Sequence, residues 1–75
     1  MRETVLIAVG MKCPRPLFEV NKAMKTLAAA EILVVHADDP AFPPDIQAWC
    51  RRTGHELVSL GTMAGRFTAH IRKSA

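Results

Sequence analysis

One thiol in this chain has neighbours suited to covalent chemistry. In Gly10-Met11-Lys12-Cys13-Pro14-Arg15-Pro16-Leu17, Cys13 follows a lysine, precedes a proline and lies two residues from Arg15. The apolar, β-rich run Val5 to Val9 stops just before it, and Leu17, Val20, Met24, Leu27 and Ala28 recur at helical spacing after it. Cys13 therefore stands where a strand gives way to a helix. Proline is accepted in the opening turn of a helix, where its missing N–H costs nothing, so Pro14 and Pro16 belong in that turn. A helix start carries free N–H groups and roughly half a positive charge, which favour a thiolate over a thiol, and Lys12 and Arg15 add cationic field. Free cysteine titrates at about 8.5, and such surroundings can bring it to about 7.5 or below, so a useful thiolate fraction near neutral pH is expected. The competing reading of Cys13 is a small core residue. The Lys-Cys-Pro-x-Pro setting favours the reactive one.

The same residues carry a family resemblance. Gly10, Cys13-Pro14-Arg15-Pro16, Asp38-Asp39-Pro40-Ala41 and Asp45-Ile46 resemble the TusA/SirA/YedF family of small sulfur carriers, and the likeness runs from Val5 to Lys73. It implies that Cys13 is the persulfide-carrying cysteine. Gly10 would let the loop approach a partner, Pro14 and Pro16 would stiffen the helix entrance, and Lys12 and Arg15 would set the local field. The implied fold is a two-layer α/β sandwich of the α+β class, similar to the C-terminal domain of translation initiation factor three. A mixed four-stranded sheet would carry two helices on one face. The implied partners are a sulfur donor, either a cysteine desulfurase or a rhodanese-like protein, and an acceptor serving tRNA thiolation, molybdenum-cofactor work or sulfur oxidation. No cofactor is implied, and the carrier is expected to be a monomer. One segment departs from the family pattern. Where members commonly carry Asp, any residue, Arg and Gly, this chain has Ile7, Ala8, Val9 and Gly10.

The elements that must position Cys13 follow from periodicity and breakers. Thr4 to Val9 reads as a first strand, apolar on both faces and so expected in a covered position. A first helix is expected from about Pro14 to Ala29, burying Leu17, Val20, Met24, Leu27 and Ala28 and pairing Glu19 with Lys22 on its wet side. Phe18 flanks that stripe, where edge-of-core packing is expected and a partner-facing role is the alternative. Glu31 to Ala37 reads as a central second strand, joined to the first by a right-handed parallel crossover. Asp38-Asp39-Pro40 reads as a turn with a following helix cap. A second helix should run from Pro43 or Pro44 to Thr53, stop at Gly54, and bury Ile46, Trp49, Cys50 and Thr53 on one face. Trp49 would anchor it to the sheet, and Cys50 would be a core residue, with a resolving role as the alternative. His55 to Thr62 and Arg66 to Arg72 should close the chain as a hairpin, leaving Lys73 to Ala75 frayed. The order is β-α-β-α-β-β.

Composition narrows the function further. Seventy-five residues, 49% hydrophobic and 23% charged, read as one globular domain over 1–75. A chain of this size buries only about 60% of its unfolded surface, so its core is thin and a deep substrate cavity is not expected. That favours a carrier over a self-contained enzyme. Two cysteines without a recognisable export signal suit a reducing compartment, and the cytoplasm is expected. No stretch approaches the ~18 apolar residues of a membrane span. His36, His55 and His70 lack the paired spacing of zinc ligands, so no metal is expected. The different-class alternative is an RNA-binding or regulatory module without sulfur transfer. The net charge of +3 and pI near 9.3 permit it. Tyr is absent, however, and the basic residues, from Lys12 and Arg15 to Arg72 and Lys73, are scattered over several elements, so nucleic acid is not the expected partner.

Overall fold

Alternating apolar runs and helical stripes resolve, in a computed structural model describing residues 2–74, into β1 (Glu3–Ala8), α1 (Arg15–Lys25), β2 (Ile32–Ala37), α2 (Phe42–Thr53), β3 (Glu56–Met63) and β4 (Arg66–Arg72). The strands form one mixed sheet in the order β1-β2-β4-β3. β1 pairs with β2 in parallel, and β4 runs antiparallel to both β2 and β3. This is the expected β-α-β-α-β-β sandwich, with both helices on one face. Because side chains alternate across a strand, Ala8, Leu33, Val35, Ala37, Ala69 and Ile71 all point to the helical side. There they meet Val20, Met24 and Leu27 of the first helical segment and Phe42, Ile46, Trp49 and Cys50 of the second.

β1 corrects one expectation. It is an edge strand, and Val5 and Ile7 are 58% and 60% exposed. Apolar residues on both faces made it look covered, but only the Leu6 and Ala8 side has helices above it. By contrast, β2 is central and almost wholly buried, as expected. On its open side Ile32 and Val34 are also buried, and they stand opposite Arg72 and His70 in the paired register.

The helices are shorter or displaced relative to their apolar spacing. α1 ends at Lys25 because Thr26 turns its hydroxyl back onto the Ala23 carbonyl at 2.7 Å, offering the chain an alternative to a further turn. Leu27 still reaches the core, whereas Ala28 is exposed, so the end of the expected stripe is corrected. The Glu19–Lys22 pair forms at 3.7 Å. α2 starts at Phe42 with Pro43 and Pro44 in its first turn. It stops at Gly54, whose φ of 84° is the left-handed conformation that glycine adopts without strain. Ile46, Trp49 and Cys50 are buried as the spacing predicts; Thr53 is exposed, and its hydroxyl donates to the Trp49 carbonyl. Trp49 is 2% exposed, and its Nε1–H donates to Asn21 Oδ1 at 3.1 Å, so it ties α2 to α1 as well as to the sheet.

Two further differences concern the hairpin and the end of the chain. A bulge between Leu57 and Ser59 shifts the register, so Leu57 and Leu60 pack against the core and Val58 is left 45% exposed. Lys73 and Ser74 are not frayed. The Lys73 N–H donates to the Glu31 carbonyl at 2.9 Å, and the Ser74 N–H donates to His55 Nδ1 at 3.1 Å. Ala75 lies outside the described residues.

The unequal burial of the apolar residues gives a test. Trp49→Ala should cost about 3–5 kcal/mol in chemical denaturation, as expected for a buried aromatic. Val5→Ala, on the exposed side of β1, should stay within about 0.5 kcal/mol. A large loss at Val5 would mean that the strand is covered after all.

Candidate functional site

Parallel pairing determines where the reactive loop meets its support. Ala8 is aligned with Ala37, so β1 and β2 end side by side and the segments after them, residues 9–14 and 38–41, leave the sheet together. Loops at the carboxyl ends of parallel strands commonly frame functional sites, and here two aspartates from one loop hold the backbone of the other. Asp38 Oδ1 accepts the Gly10 N–H at 2.9 Å, and Asp39 Oδ2 accepts the Cys13 N–H at 2.6 Å. Asp39 Oδ1 also accepts the Ala41 N–H at 3.3 Å, so a single carboxylate spans both loops. Gly10 turns the chain with φ of 86°; open space surrounds its α-carbon, so glycine is required there by conformation rather than by crowding.

The loop presents Cys13 to solvent. The Cys13–Pro14 peptide is cis, Pro14 is the N-cap residue of α1, Arg15 opens the helix and Pro16 follows it. Both prolines thus sit at the helix entrance, as their chemistry predicts. Gly10, Lys12, Pro14 and Arg15 are exposed around the thiol, and Pro16 is buried beneath it. Cys13, Pro16, Leu17, Asp39, Phe42 and Asp45 line a shallow cleft that lacks the depth to enclose a small molecule. Phe18 is 60% exposed instead of packing at the edge of the core.

The electrostatics of the thiol correct the expectation of a stabilised thiolate. Cys13 Sγ lies 2.8 Å from Asp45 Oδ2 and donates its proton to that carboxylate. This hydrogen bond is the main reason its pKa is raised above the ordinary thiol value, and the charges of Asp45 and Asp39 add to the effect. The helix start offers no counterweight. The Arg15 N–H donates to Lys12 O, those of Leu17 and Phe18 reach Pro14 O, and Pro16 has none to give. The amides expected to stabilise a thiolate are therefore engaged or missing. Lys12 acts on Asp39 instead: that carboxyl is held below the usual range chiefly by the Cys13 N–H, then by the Ala41 N–H, with a smaller contribution from Lys12.

Asp38, Asp39 and Asp45 are the residues that spacing alone did not place in the site. The acidic pair looked like a turn and cap. Asp39 does make the turn contact with Ala41, yet the N-cap residue of α2 is Ala41, which has no capping side chain. The signal that could have found them lies in the expected parallel crossover itself, which sets the turn after the second strand against the loop after the first. Cys50 stands apart in the core, 5% exposed, where burial pushes its pKa up to about 11. The histidines are also dispersed: His36 meets Thr68, His70 meets Ser59 and His55 meets Ser74. Several cations have local partners too, Arg72 with Glu56 at 2.8 Å and Lys73 with the Leu27 carbonyl.

Comparison with known proteins gives a consistent result. Residues 6–73 match the protein family described as Sulfurtransferase TusA. The chain is 40% identical over 73 residues to the sulfur carrier protein TusA of Pseudomonas putida strain GB-1, covering 97% of this chain and 91% of that one. YrkF of Bacillus subtilis is 43% identical over 73 residues but is a longer protein, of which the chain spans 38%. Among solved structures, a SirA-like protein from Desulfitobacterium hafniense superposes with a TM-score of 0.80 at 22% identity, covering 95% of this chain and 97% of that one. That likeness establishes the fold.

The two-loop clamp should be visible in an acid titration. Because the folded pKa of Asp39 is depressed, its contact with Cys13 contributes stability above the ordinary aspartate pKa of about 3.9, and that contribution is lost as pH falls through the depressed value. The Cys13 amide resonance should report this transition with a midpoint below the ordinary one. Asp39→Asn should abolish the titration, and a midpoint at or above the ordinary aspartate value would contradict the clamp.

Proposed function

Because this chain belongs to the TusA sulfurtransferase family, we propose that it is a sulfur carrier that takes sulfane sulfur as a persulfide on Cys13 and hands it to an acceptor protein. The observation that supports this reading best is the placement of Cys13: exposed at the tip of a loop held by two aspartates, on a chain whose nearby cleft is too shallow for a small substrate. A thiol that meets its reactant at the surface is suited to exchange with another protein's sulfur.

The chemistry is that of thiol exchange. Cys13 sulfur attacks the outer sulfur of a donor persulfide, the donor's inner sulfur leaves as a thiolate, and an acceptor thiolate later attacks the new outer sulfur of Cys13 in the same way. Gly10 and the Asp38 and Asp39 contacts hold the loop, Pro14 and Pro16 restrict the helix entrance, and Lys12 and Arg15 present positive charge to an approaching partner. The donor would be a cysteine desulfurase or a rhodanese-like protein. The acceptor would belong to tRNA thiolation, molybdenum-cofactor formation or sulfur oxidation. Reduced thiols suit the cytoplasm. No helix among the described residues is long and apolar enough to cross a membrane.

Incubation with a persulfide donor, followed by intact-mass measurement and peptide mapping, should show the gain of one sulfur atom on Cys13. Cys13→Ser should keep the circular dichroism spectrum and lose the gain. Cys50→Ser should keep it. An unchanged mass in the native protein, or sulfur mapped to Cys50 alone, would refute the assignment.

A further inference from the structure

We propose that Asp45 is the proton acceptor for Cys13 during sulfur loading and the proton donor during unloading. The inference rests on the carrier reading above and adds a second residue that touches the reacting atom. Its basis is a direct contact: Cys13 Sγ donates to Asp45 Oδ2 at 2.8 Å, so the group that must lose a proton before attack already points it at a carboxylate. The nucleophile in exchange is the thiolate, and the resting protein holds a thiol whose pKa is raised. A step that removes this proton is therefore required, and the acceptor should lie within hydrogen-bond reach.

The groups facing the thiol leave one candidate. Asp39 also carries negative charge towards Cys13, but its two oxygens are taken by the Cys13 and Ala41 N–H groups. Lys12 is cationic and acts on Asp39. Asp45 comes from a different element, the first turn of α2. Ile46, next to it, is fully buried, so the backbone beneath the carboxylate is fixed in the core. The loop carries the sulfur and the helix holds the base, a division that keeps the pair aligned while a partner docks.

The step balances as follows. As Sγ attacks the outer sulfur of R–S–SH, its proton passes to Asp45 Oδ2, a Cys13 S–S bond forms, and the donor's S–S bond breaks with the electron pair kept by the R sulfur. Asp45 then gives the proton to that leaving thiolate. Cys13–SH and R–S–SH become Cys13–S–SH and R–SH, with no net oxidation. In unloading, the acceptor thiol passes its proton to Asp45, the resulting thiolate takes the outer sulfur, and Cys13 Sγ leaves with the electron pair and receives that proton from Asp45.

Two rates on the same thiol test this, because the carboxylate should affect them oppositely. Alkylation by iodoacetamide follows the thiolate fraction, which the Asp45 hydrogen bond suppresses; loading from glutathione persulfide also requires a place for the proton. Asp45→Asn should alkylate faster than wild type near neutral pH and load sulfur about 10²-fold more slowly, the lower end of what a positioned proton acceptor contributes. Asp45→Glu should stay slow to alkylate and recover part of the loading rate, which keeps the test open if the Asn variant folds poorly by circular dichroism. Any other pairing of the two rates in a folded Asn variant, including both faster or both unchanged, overturns the proposal. Wild type that fails to load at all would instead defeat the carrier reading, which separates the two failures.

Discussion

The parallel register of the two strands that flank α1 is the constraint on which the site depends. Ala8 opposite Ala37 makes the chain leave the sheet twice at one place, and the aspartate contacts that hold the backbone of the reactive loop cross between those two exits. The crossover helix is needed because parallel neighbours cannot be joined by a tight turn. In a chain of this length, one such unit is enough to bring residues 26 and 28 positions apart into hydrogen-bond contact. Slipping β1 by one residue would turn Leu6 and Ala8 away from the helices and bring Val5 and Ile7 under them. The same slip would move Gly10 relative to Asp38, so packing and chemistry are set by one alignment.

Much of this was legible in the amino-acid order. The strand-to-helix boundary at Cys13, the two prolines at the helix entrance, the glycine that ends the second helix and the central apolar strand all follow from local rules that tertiary packing leaves intact. What could not be read locally was which strand lay at the edge. Residues Val5 to Val9 are apolar on both faces, and periodicity cannot distinguish a strand covered twice from an edge strand with apolar residues exposed. The bulge at Leu57 and Ser59 was hidden for a related reason: an apolar pair three apart suggests no strand pattern until an inserted residue resets the alternation.

The charge around the sulfur shows the limit of arguing from a helix start alone. Positive potential at a helix N-terminus comes from N–H groups without partners. Here proline removes one of them, and the carbonyls of Lys12 and Pro14 take the rest, so the expected field is largely spent within the backbone. The nearest strong influences are then two carboxylates brought in by the second loop and second helix, and their sign is opposite. Lys12 and Arg15, close in sequence, count for less than Asp45, which is 32 residues away. Sequence distance misleads because the low cost of closing a loop lets a small fold place remote charges nearer than neighbouring ones.

A raised thiol pKa is compatible with a carrier and fits its exposure. An exposed cysteine held as a stable thiolate would be open to alkylation and oxidation by any small electrophile, since reactivity follows thiolate character and access. A thiol kept protonated by an adjacent carboxylate is slower towards such reagents. The carboxylate that imposes this restraint is also placed to accept the proton once a partner's sulfur is in line. Selectivity then comes from geometry at the moment of contact rather than from a standing charge, which suits a thiol whose adjacent cleft is too shallow to select a substrate by enclosure. The rigid parts serve that moment: Trp49 with Asn21 ties the two helices, Ile46 fixes the turn beneath Asp45, and the aspartate clamp fixes the loop beneath Cys13. The sulfur and its base are thus supported from opposite sides by elements that share one core.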